Sequence, residues 1–421
     1  MKKKIIALII FIILIFLGGL FLWVKKIPYE LKEKGISNSF NPFGNFNSDS
    51  ETSDTSDLDF YDKDSFFIPQ DIPSRVPFIK ISEAPVASAV FIQIGTGTST
   101  EHILRYVERE TGHIFDYSIT LGTKKRVSNT TIPRIREAIW GNNGLSVALR
   151  YVENDIVKTF LGYLPEPKTS YSETSSLSGR FLPDNITTIT IHPELDKVFY
   201  IIPTETGSVW YLTNSNFSNK VVFSHPFLEW NSQWIDSSSV MLTTKPSYEV
   251  PGGIFIFNSE NGSLENIFTR ISAPITKADL NSSYFVCSPS NSDGTYTSLY
   301  NLDNKQWYTL SFTALSDKCV WSKNTTLYCG ASNYPTNINF PDAWYQGLFS
   351  FSDEVWGVDP ETGISAPIIE TKDIVPDGID IESLIVSSDE SFLTFINKQN
   401  GELWLADLSF TTSVQDFKNL Y

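Results

Sequence analysis

Histidine is scarce in this chain. His102, His113, His192 and His225 are the only four, and none forms an H-E-x-x-H pair or a close His/Cys cluster, so the usual sequence forms of a zinc site are excluded. There is no G-x-x-x-x-G-K-[ST] stretch to cradle phosphate and no G-x-S-x-G nucleophile turn. The only glycine pair of interest, in "FIQIGTGTS", is too short to make a nucleotide loop. Basic charge is equally thin. The net charge is −16, and the basic runs are the lysines around the first apolar segment and Lys124-Lys125-Arg126, which leaves no footprint for nucleic acid. No enzymatic activity, cofactor or metal is expected. No long amphipathic helix is visible, and cysteine is limited to Cys287, Cys319 and Cys329.

Ile5 to Val24 reads IIALIIFIILIFLGGLFLWV, twenty residues without a charge, long enough to cross a bilayer as a helix. A cleaved signal peptide has a shorter apolar region and an A-x-A-like site; neither is present, so residues 1–26 read as an uncleaved anchor. Lys2, Lys3 and Lys4 precede the span and Lys25 and Lys26 follow it, which nearly balances the charge rule for orientation. The acidic, Ser/Thr/Asn-rich remainder favours a body outside the cytoplasm. Residues 27–74, including "SNSDSETSDTSDLDFYDKD", have too little apolar content to fold and form a flexible acidic linker. The carboxylates of "DLDFYDKD" lack EF-hand spacing and a turn glycine.

From about residue 75 to 410 the chain becomes short alternating strands separated by Asn, Asp, Gly and Ser turns. One strand type recurs as "HILRYVE" from His102, "LSVALRYVE" from Leu145, "KVFYIIP" from Lys197, "SVMLTTK" from Ser239, "YFVCSPS" from Tyr284, "TLYCGAS" from Thr326 and "FLTFINK" from Phe392, mostly 42 to 48 residues apart. Each is preceded by an inner strand and followed by a third. Outer strands are readable in most units. Four short antiparallel strands repeated seven times predict an all-β, seven-bladed β-propeller, with six blades as the alternative. The seventh repeat ends after its third strand, and "PFIKIS" from Pro77 aligns with the outer strands of other units. That places an N-terminal strand in the last blade and leaves 411–421 as a tail.

The turn signatures "WGNNG", "WSKNT" and "VDPETG" give residues 77–408 a resemblance to TolB-type and dipeptidyl-peptidase N-terminal-type propellers. The stretches "RYVERETGHI", "RVSNTTIPRIREAIW", "FLPDNI", "EWNSQW", "LTTKPS", "CVWSKNTTLYC" and "PDAWYQGLFSFSDEVW" resemble a group of membrane-anchored propeller proteins of small-genome bacteria. That resemblance implies fold and location but no activity.

Cys319 and Cys329 each lie five residues from Asn324 in a strand–turn–strand pattern. A hairpin centred there sets them opposite each other, predicting a cross-strand disulfide with two packed thiols as the alternative. Cys287 reads as a buried singleton.

Trp140, Trp234 and Trp321 share one repeat position, and Trp210, Trp356 and Trp404 another; recurrence in phase means packing. Trp230, Trp344, Tyr345 and Tyr248 are out of phase. Trp344 and Tyr345 fall in a loop from about Gly330 to Asp353, far longer than its equivalents. Tyr248, Trp230, and the group Arg134, Arg136 and Glu137 fall in connections on the same side of the ring. With Asp342 and Gln346 they form the candidate binding face. The alternative is that the loop plugs the central channel with Trp344. The expected function is a single-pass, extracytoplasmic scaffold docking an envelope protein or polysaccharide. A carbohydrate-binding or carbohydrate-active propeller is the alternative, with the out-of-phase aromatics stacking on sugar rings and Asp342 or Glu137 bonding hydroxyls.

Overall fold

A computed structural model describes residues 78–95, 101–165, 177–280, 283–361, 363–373 and 375–410. The expected anchor at 5–24, the expected linker at 27–74 and the expected tail at 411–421 lie outside them. Among the described residues no helix is long and apolar enough to cross a membrane.

The described strands form seven four-stranded antiparallel sheets, and in blade five Ser290–Asn291 pairs with Gly294–Thr295 as a small extra hairpin. Their inner strands, blades one to seven in order, are Val86–Ile94, Glu137–Gly141, Thr188–Ile191, Trp230–Trp234, Ile275–Ala278, Cys319–Trp321 and Ile381–Val386. Successive inner strands touch, and the last touches the first, so the sheets close into a ring. The fold is a seven-bladed all-β propeller, and the six-bladed alternative is overturned. Phe78–Ser82 hydrogen-bonds antiparallel to Leu403–Asp407 as the outermost strand of blade seven.

Most blades bury the alternating faces of their middle strands against the next blade, as period-2 patterning requires. Seven apolar clusters correspond to the seven interfaces. Between blades three and four, for example, Phe199, Trp210, Trp234, Val240 and Phe257 pack together. The in-phase tryptophans also bond across interfaces. Trp234 Nε1 donates to Thr190 O at 3.4 Å and Trp321 Nε1 to Lys277 O at 2.9 Å, in each case the inner strand of the preceding blade. A buried Arg105–Asp116 pair bonds through two nitrogens, at 2.7 and 2.8 Å, while Arg105 Nη1 donates to Gly144 O of blade two.

In blade six, Cys319 faces Cys329 across the first two strands and the pair is joined by a disulfide. Cys287 is buried between blades four and five, where desolvation pushes its thiol up to about 12.

Candidate functional site

Between the second and third strands of blade six, Leu327–Ala331 and Glu354–Val358, the chain makes a long excursion with a core of its own. Phe340, Trp344 and Phe351 are buried with Ile275 and Leu315, and Tyr334, Ile338 and Phe349 pack against them. Phe351 is in ring contact with Tyr334, Phe340 and Phe349. A compact loop packed by its own side chains is a typical Ω-like device.

Within it, Asp342–Tyr345 makes one helical turn, α1. Gly347 ends the turn at φ +71, donating its N–H to Trp344 O at 3.1 Å; glycine takes that left-handed conformation without a Cβ penalty. At the loop base, a Cβ on Gly378 would lie 2.1 Å from Ser352 Oγ, so only glycine lets the connection into blade seven approach this closely.

The helical turn is tied to several blades. The Asp342 carboxylate accepts from Tyr248 N at 2.5 Å and Ser247 Oγ at 3.3 Å, both in blade four. Tyr345 Oη donates to Asp317 at 2.5 Å, just before the inner strand of blade six. Trp344 Nε1 donates to both oxygens of Asp380, at 3.0 and 3.1 Å, just before the inner strand of blade seven. Lys398 of blade seven donates to Trp344 O at 2.9 Å. Bonds to blades four, six and seven come from this one turn.

Under Trp344 lies a charged cluster with no solvent exposure. Lys318 Nζ donates to Asp353 at 2.6 Å and to Asp380 at 2.7 Å, with all three side chains fully buried. The ammonium also lies 4.0 Å from the Phe351 ring centre and 5.0 Å from that of Trp344, a favourable cation–π placement. Ile381 N donates to Asp353 Oδ2 at 2.7 Å, while Asp353 Oδ1 has no hydrogen-bond partner. Two carboxylates share one ammonium within a fully buried site. Desolvation, opposed by Lys318, pushes the Asp353 carboxyl up to about 6.

Beside the cluster, burial raises the carboxyls of Asp317 and Glu382 and lowers the Lys277 ammonium, with Asp317 partly holding the lysine charge in place. Burial and the neighbouring Asp317 hold the Tyr345 hydroxyl well above its ordinary value.

The sequence-predicted residues therefore divide. Trp344 is 2% exposed and presents no face to a ligand. Trp230 is also 2% exposed and corrects the expectation of a surface aromatic. It packs into the blade three–four cluster, with ring contacts to Trp210, His225 and Phe255. Tyr345 is 41% exposed, Gln346 is exposed, and Tyr248 is half-buried beside α1. Asp342 is committed to backbone and hydroxyl donors in blade four. Arg134, Arg136 and Glu137 are exposed around the entry to blade two, and Glu137 pairs with Arg150 at 2.5 Å. Among the described residues no bond joins this trio to the blade-six loop.

Sequence reading missed Lys318 and Asp380 entirely, and Asp353 was seen only as the end of the loop. The one hint was a chain excursion needing an anchor. Among the described residues, no group of three or more His, Cys, Asp and Glu is arranged to hold a metal ion.

No known family model and no curated protein matches the chain. Among solved structures it is similar to the β-propeller domain of the Trilobed protease from Pyrococcus furiosus, at 11% identity and TM-score 0.46, covering 77% of this chain and 96% of that one. It is also similar to the Cps50 (Swd1) β-propeller domain of Myceliophteria thermophila, at 10% identity and TM-score 0.47, covering 78% and 99%. A third is the tricorn protease, at 10% identity and TM-score 0.38, where the match covers 77% of this chain and 42% of that one.

Proposed function

We propose that this propeller is a non-catalytic protein-binding or envelope-assembly scaffold, held to a membrane by residues 5–24 with the ring outside the cytoplasm. Its docking face is the side carrying the blade-six loop. The observation that carries this reading is the division of labour in α1. Trp344 is buried and bonded to Asp380, whereas Tyr345, Gln346 and Leu348 are exposed beside it. A long loop with its own core and fixed exposed side chains is preorganised for recognition, which lowers the entropic cost of binding. The location rests on the uncharged run and the acidic spacer, and on the resemblance to membrane-anchored propellers of small-genome bacteria. Sugar stacking is the weaker reading, because Trp230 and Trp344 are both withdrawn from the surface.

The test is affinity capture from envelope extract with the full chain in detergent, run beside a glycan array. Wild type is compared with Gln346→Ala/Leu348→Asp, whose altered side chains are both exposed, Leu348 by 75%, and make no bond that holds α1 in place. Partners lost by the variant at unchanged melting temperature are expected. An identical partner set for both chains refutes the docking face. Protease accessibility of the ring in intact and opened cells checks its side of the membrane.

A further inference from the structure

The docking face carries apolar side chains unevenly. Phe227, Leu228, Val250, Tyr296, Tyr345 and Leu348 are exposed large hydrophobics, and all lie in connections on this side from blade three to blade six. Leu348 is 75% exposed, Val250 52% and Phe227 50%. Bonds and close approaches connect these segments. Lys245 N donates to Glu229 O, joining the blade three–four connection to the blade-four loop. Tyr248 N and Ser247 Oγ join that loop to Asp342. A Cβ on Gly294, in the blade-five hairpin, would lie 4.0 Å from Thr336 of the blade-six loop.

The charge along this arc has one dominant sign. Glu205, Glu229, Glu249 and Asp293 are exposed in the same connections. The lysine among them, Lys245, is already paired with Glu229 at 3.3 Å. Arg270, exposed on the outer strand of blade four where that strand pairs with Gly252 and Gly253, is a second cation bordering the arc. From Ser332 to Ser352 there is no Lys or Arg.

We propose that this arc seats a cationic amphipathic peptide segment of a partner protein, an assignment that rests on the docking-face reading above. The partner's aliphatic or aromatic side chains cover Phe227, Val250 and Leu348, and its Lys or Arg side chains meet the surrounding carboxylates. Exposed apolar surface inside a charged rim is the usual composition of an interface, and opposite charge steers the encounter. An anionic lipid surface or acidic polymer is repelled by the same carboxylates. A second copy would bring the same sign to the contact, on a chain of net charge −16.

The experiment is selection of random peptides of roughly twelve residues displayed on phage, against the immobilised full chain in detergent. Selected peptides are then synthesised and their binding measured by fluorescence anisotropy. Wild type is compared with Val250→Ser/Leu348→Ser, two surface changes that remove apolar area without adding charge and whose folding is checked by melting temperature. Enriched sequences should alternate Lys or Arg with aromatic or aliphatic residues, and the variant should bind them at least about tenfold more weakly. Affinity should also fall severalfold as salt rises from about 50 to about 300 mM. Peptides that are neutral or acidic yet lost by the variant overturn the cationic chemistry and leave the docking face standing. Peptides indifferent to the variant overturn both. Failure to enrich any peptide overturns the peptide assignment, and the affinity capture with the loop variant then decides for or against the face itself.

Discussion

Replacing Lys318 with Met removes the one cation between two fully buried carboxylates while leaving a side chain of similar length. At pH 8 the folded state must then bury Asp353 and Asp380 with only Trp344 Nε1 and the Ile381 N–H as donors. Breaking a buried pair by removing one partner costs about 3–5 kcal/mol. An unfolding entropy of roughly 2.1 cal/mol/K per residue over about 330 residues is close to 0.7 kcal/mol/K, so the melting temperature should drop by about 4–7 °C.

The loss should depend on pH, with a determinate sign. The Asp353 carboxyl has a folded value of about 6, above its ordinary 3.8, so between these values the folded state holds more protons than the unfolded chain. Its contribution therefore favours folding at low pH and is lost as pH rises through about 6, with a ceiling of about 3 kcal/mol. Lys318 holds that value down, so the variant's carboxyl rises further, and a proton can take over part of the missing charge at pH 5. Differential scanning fluorimetry across pH 5–8 should show a large loss for Lys318→Met at pH 8 and a smaller one at pH 5. Adding Asp353→Asn should recover part of the loss at pH 8. Equal losses at both pH values, or no loss at either, refute the charged-cluster account.

Other perturbations are equally direct. Trp344→Phe keeps an aromatic ring but removes the hydrogen bond to Asp380; it should cost about 1.5–3 kcal/mol, read as a shift in the chemical-denaturation midpoint. Arg105→Met leaves Asp116 buried and unpaired and should cost about 3–5 kcal/mol by the same measurement. Alkylation under denaturing, non-reducing conditions should label one thiol, Cys287, whereas three labelled thiols would disprove the cystine. Reducing that cystine releases a ten-residue loop constraint and should lower stability by up to about 3 kcal/mol in the chain-entropy account.

The ring was legible because each blade repeats the same physical solution. Short alternating strands and turn residues return mostly every 42 to 48 residues, and in-phase tryptophans such as Trp234 and Trp321 meet the preceding blade at equivalent carbonyls. Trp230 was misread because it fell outside that phase. Its distance from Trp234 held the better signal: residues four apart in a strand point to the same face, and here both enter the cluster between blades three and four. The blade-six loop was visible as excess length, but its anchor was not. Lys318 is 35 residues from Asp353 and 62 from Asp380, and an isolated charge near a turn looks solvated in sequence. Only the folded ring brings these three charges together beneath an indole.

The attachments of α1 also have a mechanical meaning. A load applied at Leu348 passes within a few residues to Asp342, Trp344 and Tyr345, and from there to Tyr248 of blade four, Asp380 at the edge of blade seven and Asp317 beside blade six. Blades four and seven flank blades five and six, so the pull is divided among three of the seven blades. Tension on the loop tip then strains several sheets in parallel and does not peel blade six from its neighbours one hydrogen bond at a time.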